Sequence, residues 1–351
     1  MLVSGKFFTG AKILYFCSTF KMKVHRDIQH LPPFNKAVVT IGTFDGVHLG
    51  HRQIIDQLRK EAQAIGGETV LVTFHPHPRK VLAGHPPVLL LNTLPEKMEL
   101  LEAQGIDHLV VVPFTPEFSS QPAERYVEDF LVARFHPHTV IIGYDHRFGR
   151  DRSGDFKLLE RYAAQHAFKL IEIPGQLIDE ATISSTRIRS ALLSGQPEEA
   201  CRLLGYDYFF EGLVVEGNKL GRELGYPTAN LKVEEEKLVP GNGIYAVSCE
   251  LLATSRKPLA SQAPPQLTAH SPQLLKGMMS IGVRPTVGGT PRTIEVNLFD
   301  FNEDIYGRVL RVYLKKYLRE EEKFDGLEAL KEQLAKDKIA TLAVLALGTG
   351  S

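Results

Sequence analysis

Apolar residues recur in two different rhythms along this chain, and the rhythm changes near residue 205. Upstream, short β-branched runs at 36–43, 69–74, 109–112, 139–143 and 168–173 have the length and composition of strands. Between them Ile54, Leu58, Ala62 and Ile65 repeat at helical spacing, and a further helix is predicted over 123–135. Thr93 and Glu96 have capping-box spacing ahead of a helix carrying Met98, Leu100 and Leu101. Short apolar strands separated by helices predict a mostly parallel, doubly wound, Rossmann-like sheet with ligands at the carboxyl ends of its strands.

Downstream, residues 213–216, 244–251, 278–283, 294–299 and 309–317 read as strands with Gly and Pro, not helices, between them. This predicts a small antiparallel sheet or β-barrel. One helix follows over 326–336, with Leu327, Leu330 and Leu334 along one face. The fold class is therefore α/β plus β, with one domain over 36–205, a second over 206–345, and residues 1–35 as an N-terminal extension. Residues 252–276 hold four prolines, no acidic residue and no clear period, which predicts a mobile insertion between two strands. The apolar patch at Ile13–Phe16 lacks the continuity of a signal peptide, and Met22, just ahead of the recognisable pattern, is expected as an alternative start.

Composition narrows the function. At 351 residues the chain is long enough for two cores, and 43% apolar with 23% charged residues is ordinary globular usage. Forty-one Lys and Arg balance 41 Asp and Glu, so the basic surplus of a nucleic-acid-coating protein is absent. No run approaches the ~18 apolar residues of a membrane-spanning helix. Cys17, Cys201 and Cys249 contain no CxxC pair, which predicts a reducing, cytoplasmic setting and no thiolate zinc site.

The chemistry gathers in motifs. Gly42–His51, GTFDGVHLGH, lies between a strand and a helix, where free N–H groups and the positive end of the helix dipole favour phosphate. Gly46 and Gly50 allow close backbone approach, and His48 and His51 are placed to donate ring N–H bonds to one polyphosphate. Residues 183–189, ISSTRIR, bring Ser184, Ser185 and Thr186 to a helix start, with Arg189 as a planar fork for phosphate oxygens. TFHPHPR at 73–79 and GYDHRFGRDRSGD at 143–155 both follow strand ends on the ligand edge. His75, His77 and Arg79 suit phosphate or metal, or a rigid proline-interrupted loop. Phe74, Tyr144 and Phe148 are expected to pack.

In the second domain there is no GxxxxGK[ST] loop. Residues 217–230, GNKLGRELGYPTAN, place Gly221 and Gly225 in a tight turn ahead of Thr228 and Asn230, whose neutral oxygens suit Mg²⁺ beside phosphate. Strand alternation puts Glu295 and Asn297 on one face and Ile294, Val296 and Leu298 on the other.

Together GTFDGVHLGH, TFHPHPR, GYDHRFGxxxxGD and ISSTRIR, followed by the glycine-rich PTAN segment, resemble the bacterial bifunctional riboflavin kinase/FAD synthetase family over about residues 36–337. The resemblance implies a nucleotidyltransferase domain that adenylylates FMN to FAD with release of pyrophosphate, and a kinase domain that phosphorylates riboflavin to FMN. Both use ATP, with Mg²⁺ carried by it. It implies ATP phosphates at His48, His51, Ser185, Thr186 and Arg189, a catalytic base at Glu295, and Asp145 in a loop near the flavin or the nucleotide. Arg319 and Phe324, in LREEEKF, correspond to a flavin-side segment, or to a surface charge run. A flavin-binding module without turnover would not need Glu295. An RNA-linked synthetase would carry a KMSKS-like segment, which is missing. Oligomeric state stays open.

Overall fold

Six parallel strands in the order β1-β4-β3-β2-β5-β6 build the first half of the chain, and six antiparallel strands close into a barrel in the second. The computed structural model describes residues 21–82, 88–175, 183–217, 221, 224–252, 274–283 and 292–347. Strands β1 (Lys23–His25), β2 (Val38–Ile41), β3 (Thr69–His75), β4 (His108–Pro113), β5 (Thr139–Gly143) and β6 (Lys169–Ile173) form the sheet. Its middle strands are buried on both faces, which is why they read as continuous apolar runs. The chain runs from β2 outward through β3 and β4, then returns to lay β5 on the other side of β2. The loops after β2 and β5 therefore flank the point where strand order reverses, the usual ligand crevice of such sheets.

Helix α1 (Leu49–Ile65) follows β2 and ends at Gly66, which turns left-handed at φ 63° and returns its N–H to Ala62 and Gln63. Helix α2 (Leu94–Ala103) has the expected capping box between Thr93 and Glu96. Helix α3 (Phe156–His166) starts at Asp155, whose side chain accepts from the Leu158 N–H. The helix expected over 123–135 has a π-helical centre, Tyr126–Val132, between short α-helical ends. Tyr126 and Phe130 there pack with Phe118 and Phe148.

The first domain reaches further toward the N-terminus than the expected extension allows. Lys23–His25 pairs in parallel with His108–Val110, and Met22 is buried in the sheet's core. A three-residue strand of mostly polar residues has too few positions to show a period. The boundary with the second domain is built by helices α4 (Ser185–Leu193) and α5 (Pro197–Leu204), the latter absent from the sequence reading.

The barrel runs β10-β11-β8-β7-β12-β9 and closes on itself. Its strands are β7 (Phe209–Val215), β8 (Ala229–Val233), β9 (Gly243–Leu251), β10 (Leu275–Val283), β11 (Arg292–Leu298) and β12 (Val309–Arg319). β8 includes the end of PTAN, which the sequence presents as a turn. β10 begins at Leu275, so the end of the expected insertion is strand, while residues 253–273 of it lie outside the described residues. Helix α6 (Leu327–Leu347) runs past the expected end at Lys336.

The two domains share a core. Leu91, Ile188 and Leu192 pack in one cluster with Tyr245, Val296, Leu310 and Val312 of the barrel. A parallel bridge joins Leu90 to Lys237, with Leu90 N–H on Glu236 O at 2.7 Å and Leu238 N–H on Leu90 O at 2.9 Å. Arg311, buried on β12, reaches back to Glu99 of α2 and across to Glu211 of β7.

Candidate active sites

The loop Gly42–His48 leaves β2 in a contorted path. Phe44 and Val47 hold φ of 46° and 37°, and Gly46 turns at 90°. A Cβ on Gly46 would come 2.7 Å from Leu91 Cδ1, so glycine is needed there both for its backbone angle and for the room. His48 caps α1, and its Nδ1 accepts the His51 N–H at 3.3 Å. An accepting Nδ1 puts the neutral ring's proton on Nε2, which becomes a donor. The His48 and His51 rings stack at 3.7 Å between centroids and 15° between planes. Burial pushes His48 down to about 4, and His51 also falls well below its ordinary value through burial and its neighbour His48. Both rings are therefore neutral at pH 7. His51 Nδ1 is buried with no hydrogen-bond partner among the described residues, a polar atom of the kind a phosphate group would satisfy. Gly50 lies buried in the first turn of α1.

The segment ISSTRIR meets this loop. Ser184 caps α4 by accepting the Arg187 N–H, and Ser185 Oγ donates to Asp45 O at 2.9 Å. Thr186 is exposed at the helix start. Arg189 donates through Nη2 to buried Asp45 and through Nε to Leu89 O at 2.9 Å. The Ser185 hydroxyl and part of the Arg189 fork, expected to meet phosphate, are thus occupied in tying α4 to the β2 loop. His77 belongs to the same cluster. It caps the turn Pro78–Val81, burial pushes it down to about 4, and it senses the charges of Asp45, Lys97 and Arg189. His75 is also pushed down, chiefly by burial.

Lys97 and Asp45 are the two residues whose importance the sequence reading missed. Lys97 is buried and donates to Thr43 O at 2.6 Å, which puts a cation in the β2 loop near enough to help hold His51 neutral. Burial pulls its pKa down. A lysine inside a capping-box helix gives no sequence signal of such a role. Asp45 was legible only as a turn residue of GTFDG.

Across the crevice, Asp145 is exposed just past the end of β5. Phe148 packs on Tyr126 and Phe74 on Phe114, as expected, but Tyr144 is 48% exposed on the loop surface. Its ring lies against Gly175, where a Cβ would come 2.8 Å from Cε1.

In the barrel, Glu295 of β11 pairs directly with Asn230 of β8, and Thr228 Oγ1 donates to Glu295 Oε2 at 3.2 Å. Ile294, Val296 and Leu298 are buried in the core cluster, as their alternation requires. Asn297 is buried as well, and its Nδ2 donates to Pro227 O at 2.7 Å, pinning the PTAN turn to β11. Asn230 lies so close over Gly217 that any Cβ there would collide with its amide, and one at Gly221 would strike Tyr226 O. Gly225 turns at φ 79° with open space around it. Arg319 forks onto buried Asp337 of α6, with Nη2 to Oδ2 at 2.7 Å, and lies 5.6 Å from the Phe324 ring centroid. The structure thus brings Arg319 and Phe324 together, with the guanidinium holding the terminal helix.

Two constellations on two different folds, one of neutral imidazoles and one of hydroxyl, amide and carboxylate, frame the comparison with known proteins. A family model described as FAD synthetase matches residues 32–187, and one described as riboflavin kinase matches residues 204–345. The bifunctional riboflavin kinase/FMN adenylyltransferase of Escherichia coli (strain K12) is 35% identical over 320 residues, spanning 91% of this chain and 96% of that protein. That of Bacillus subtilis (strain 168) is 34% identical over 312 residues, 86% and 90% of the two chains. The chain belongs to the bifunctional riboflavin kinase/FMN adenylyltransferase family.

A solved structure titled as a macrolide-efflux protein from Streptococcus pneumoniae has the same fold, with a TM-score of 0.79, 30% identity, and coverage of 91% of this chain and 98% of that one. No helix among the described residues of this family member is long and apolar enough to cross a membrane. The parallel sheet is the family's FAD synthetase domain and the closed barrel its riboflavin kinase domain, in that order along the chain.

Proposed function

We propose that the enzyme's two reactions are divided between these constellations, AMP transfer at His48 and His51 and phosphoryl transfer at Thr228, Asn230 and Glu295. The activities are those of the family: ATP-dependent phosphorylation of riboflavin to FMN, and adenylylation of FMN to FAD.

In the first domain an FMN phosphate oxygen attacks the α-phosphorus of ATP. The new O–P bond forms as the bond to the departing pyrophosphate breaks. No side-chain nucleophile is required, so positioning and charge stabilisation carry the rate. The Nε2–H of His48, the unpartnered Nδ1 of His51 and the cations Arg189 and Lys97 suit the charge that collects on pyrophosphate. Ser185 and Asp45 act by fixing Arg189, while Thr186, Gly46 and Gly50 leave the helix start open to phosphate. Asp145 stands on the loop opposite, on the side where FMN or adenosine enters.

In the second domain the ribityl hydroxyl attacks the γ-phosphorus of ATP. Its proton passes to the Glu295 carboxylate, and ADP leaves. Thr228 holds Glu295 in orientation, and Asn297 fixes the turn carrying Thr228. The hydroxyl just ahead of β8, the amide on β8 and the carboxylate on β11 are oxygen donors of the class Mg²⁺ accepts, and Thr228 and Asn230 would hold it. Bound with ATP, Mg²⁺ neutralises phosphate charge. Gly221 and Gly225 give the preceding segment the curvature for phosphate, and the Phe324 ring beside Arg319 offers the isoalloxazine a flat surface. The balance of acidic and basic residues and the three thiols support a cytoplasmic enzyme that works on riboflavin, FMN and ATP without nucleic acid.

The observation that carries the reading is the separation of the two sets: they share no residue. His51→Ala is therefore expected to accumulate FMN from riboflavin and make little FAD. Glu295→Ala is expected to lose on the order of 10² to 10⁴ in riboflavin phosphorylation, yet to convert supplied FMN to FAD at a near-normal rate. Loss of both activities in both folded variants would refute the division.

A further inference from the structure

Leu91 stands between the two domains and is held from both sides. Its carbonyl oxygen accepts from Lys237 Nζ at 2.6 Å, and Lys237 belongs to the kinase domain. The same peptide group continues into the Asn92 N–H, which donates to Asp45 Oδ1 at 3.2 Å, and the Leu91 N–H donates to the same oxygen at 3.0 Å. Asp45 in turn holds Arg189. A line of polar groups thus runs from an ammonium of the kinase domain, through one peptide unit, to the carboxylate that fixes the phosphate loop and the ISSTRIR helix. Hydrogen bonds arranged head to tail through a peptide polarise one another.

Lys237 is buried at the junction of the two domains, where it serves this line of bonds alongside an ion pair and two ring contacts. Its side chain and that of Glu96 are each 1% exposed, its second bond is to Glu96 Oε2 at 2.6 Å, and its ammonium lies 4.6 Å from the Tyr208 ring centroid. It touches neither the Thr228–Glu295 pair nor the Asn297–Pro227 contact. The backbone bridge at Leu90 fixes its height against the first domain. Tyr206, at the start of the second domain, adds a further link by donating to Gly46 O at 2.6 Å, inside the phosphate loop itself.

We propose that Lys237 is a positioning residue for FMN adenylylation, so that the kinase domain supplies part of the scaffold of the other domain's site. This rests on the reading that places AMP transfer at His48 and His51. The reaction run backwards, FAD with inorganic pyrophosphate giving ATP and FMN, reports on that site alone. In the full-length enzyme, Lys237→Met is expected to raise the KM for pyrophosphate at least tenfold with a smaller fall in kcat, while riboflavin phosphorylation stays within twofold. A folded variant with unchanged pyrophosphate kinetics would overturn the proposal, whatever its melting temperature.

A measurement on the unaltered enzyme needs no variant to fold. Adding pyrophosphate alone is expected to slow amide hydrogen exchange at least threefold over 43–52, and also over 88–95 and 235–239. Slowing confined to 43–52 would show that the kinase-domain contact does not take part. His51→Ala separates the two failures. If that variant still makes FAD, the assignment of the site falls; if it does not, and Lys237→Met is kinetically silent, only the positioning role falls.

Discussion

Asp45 and Arg189 meet in a buried ion pair across 144 positions of sequence, with 2% and 14% of their side chains exposed. One comes from the loop after β2 and the other from α4, the first of the two helices that lead into the barrel. Their contact closes the crevice into a single site, because Asp45 also accepts the Leu91 and Asn92 N–H groups. Phosphate-binding loops are usually discussed through the groups that touch phosphate. Here an acidic residue inside the loop sets where the cation stands.

Asp45→Ala is expected to leave Arg189 buried without its counter-charge. Breaking such a pair from one side costs about 3–5 kcal/mol. Urea unfolding of the variant would register that loss, and FAD formation would fall at least tenfold while riboflavin phosphorylation by the folded fraction persisted. Unchanged FAD formation would place Arg189 outside the site.

The histidine pair sets a pH dependence. Burial holds His48 at about 4 in the folded protein against an ordinary value of 6.5, so the unfolded chain binds the extra proton first as pH falls. The contribution to stability is full above the unfolded value and is lost progressively below about pH 6.5 toward the folded value of about 4. FAD formation is expected to stay level from about pH 6.5 to 8 and to decline below about pH 5, as the imidazoles take up protons. A decline already half complete at about pH 6.5 would mean that the rings titrate as exposed groups.

Asn297→Leu removes the bond to Pro227 O and keeps the side chain's approximate size. The PTAN turn loses its tie to the strand that carries Glu295. Riboflavin phosphorylation is expected to fall on the order of tenfold, about 1.4 kcal/mol, with FMN-to-FAD conversion unchanged. Equal rates in the variant would leave Asn297 with no part in placing Thr228.

Arg319→Ala is expected to lower the melting temperature strongly by stranding buried Asp337. The double variant Arg319→Met with Asp337→Leu replaces the pair by apolar groups, and is expected to recover most of the stability. The riboflavin KM of that folded double variant then measures the flavin contact by itself. An unstable double variant would show that the pair does more than hold α6.

Much of this was legible from residues 36–205, because buried parallel strands write themselves as unbroken β-branched runs and α1 and α2 carry clear caps. The histidine pair was legible by type and spacing, and ISSTRIR and PTAN through the combination of motifs that carries the family resemblance; the fold brings Ser185 and Arg189 to the loop that carries His48. What escaped was what depends on distant partners. β1 is too short for a period, β8 hides behind the proline of a turn motif, and α5 is an eight-residue helix, little more than two turns, too short for its apolar face to repeat. The commitment of Ser185 and Arg189 to Asp45 could not be read either, since a donor's type says what it can bind and its neighbours decide what it does bind. Lys97 and Lys237 were invisible for the same reason. Each is an ordinary lysine in sequence, buried only because two separate elements fold over it.

Closure of the barrel has a consequence for how the molecule meets copies of itself. A closed ring of strands has no unpaired edge, so among the described residues the barrel presents no open sheet edge of free N–H and C=O groups to another chain. The parallel sheet has two open margins, β1 and β6. The first is three residues long, with Lys23 and His25 at its ends, and the second places Lys169 and Glu172 along its length. Short and charged margins resist strand addition. In a crowded cell, the two strand edges that this enzyme leaves open are thus poor templates for a partner strand.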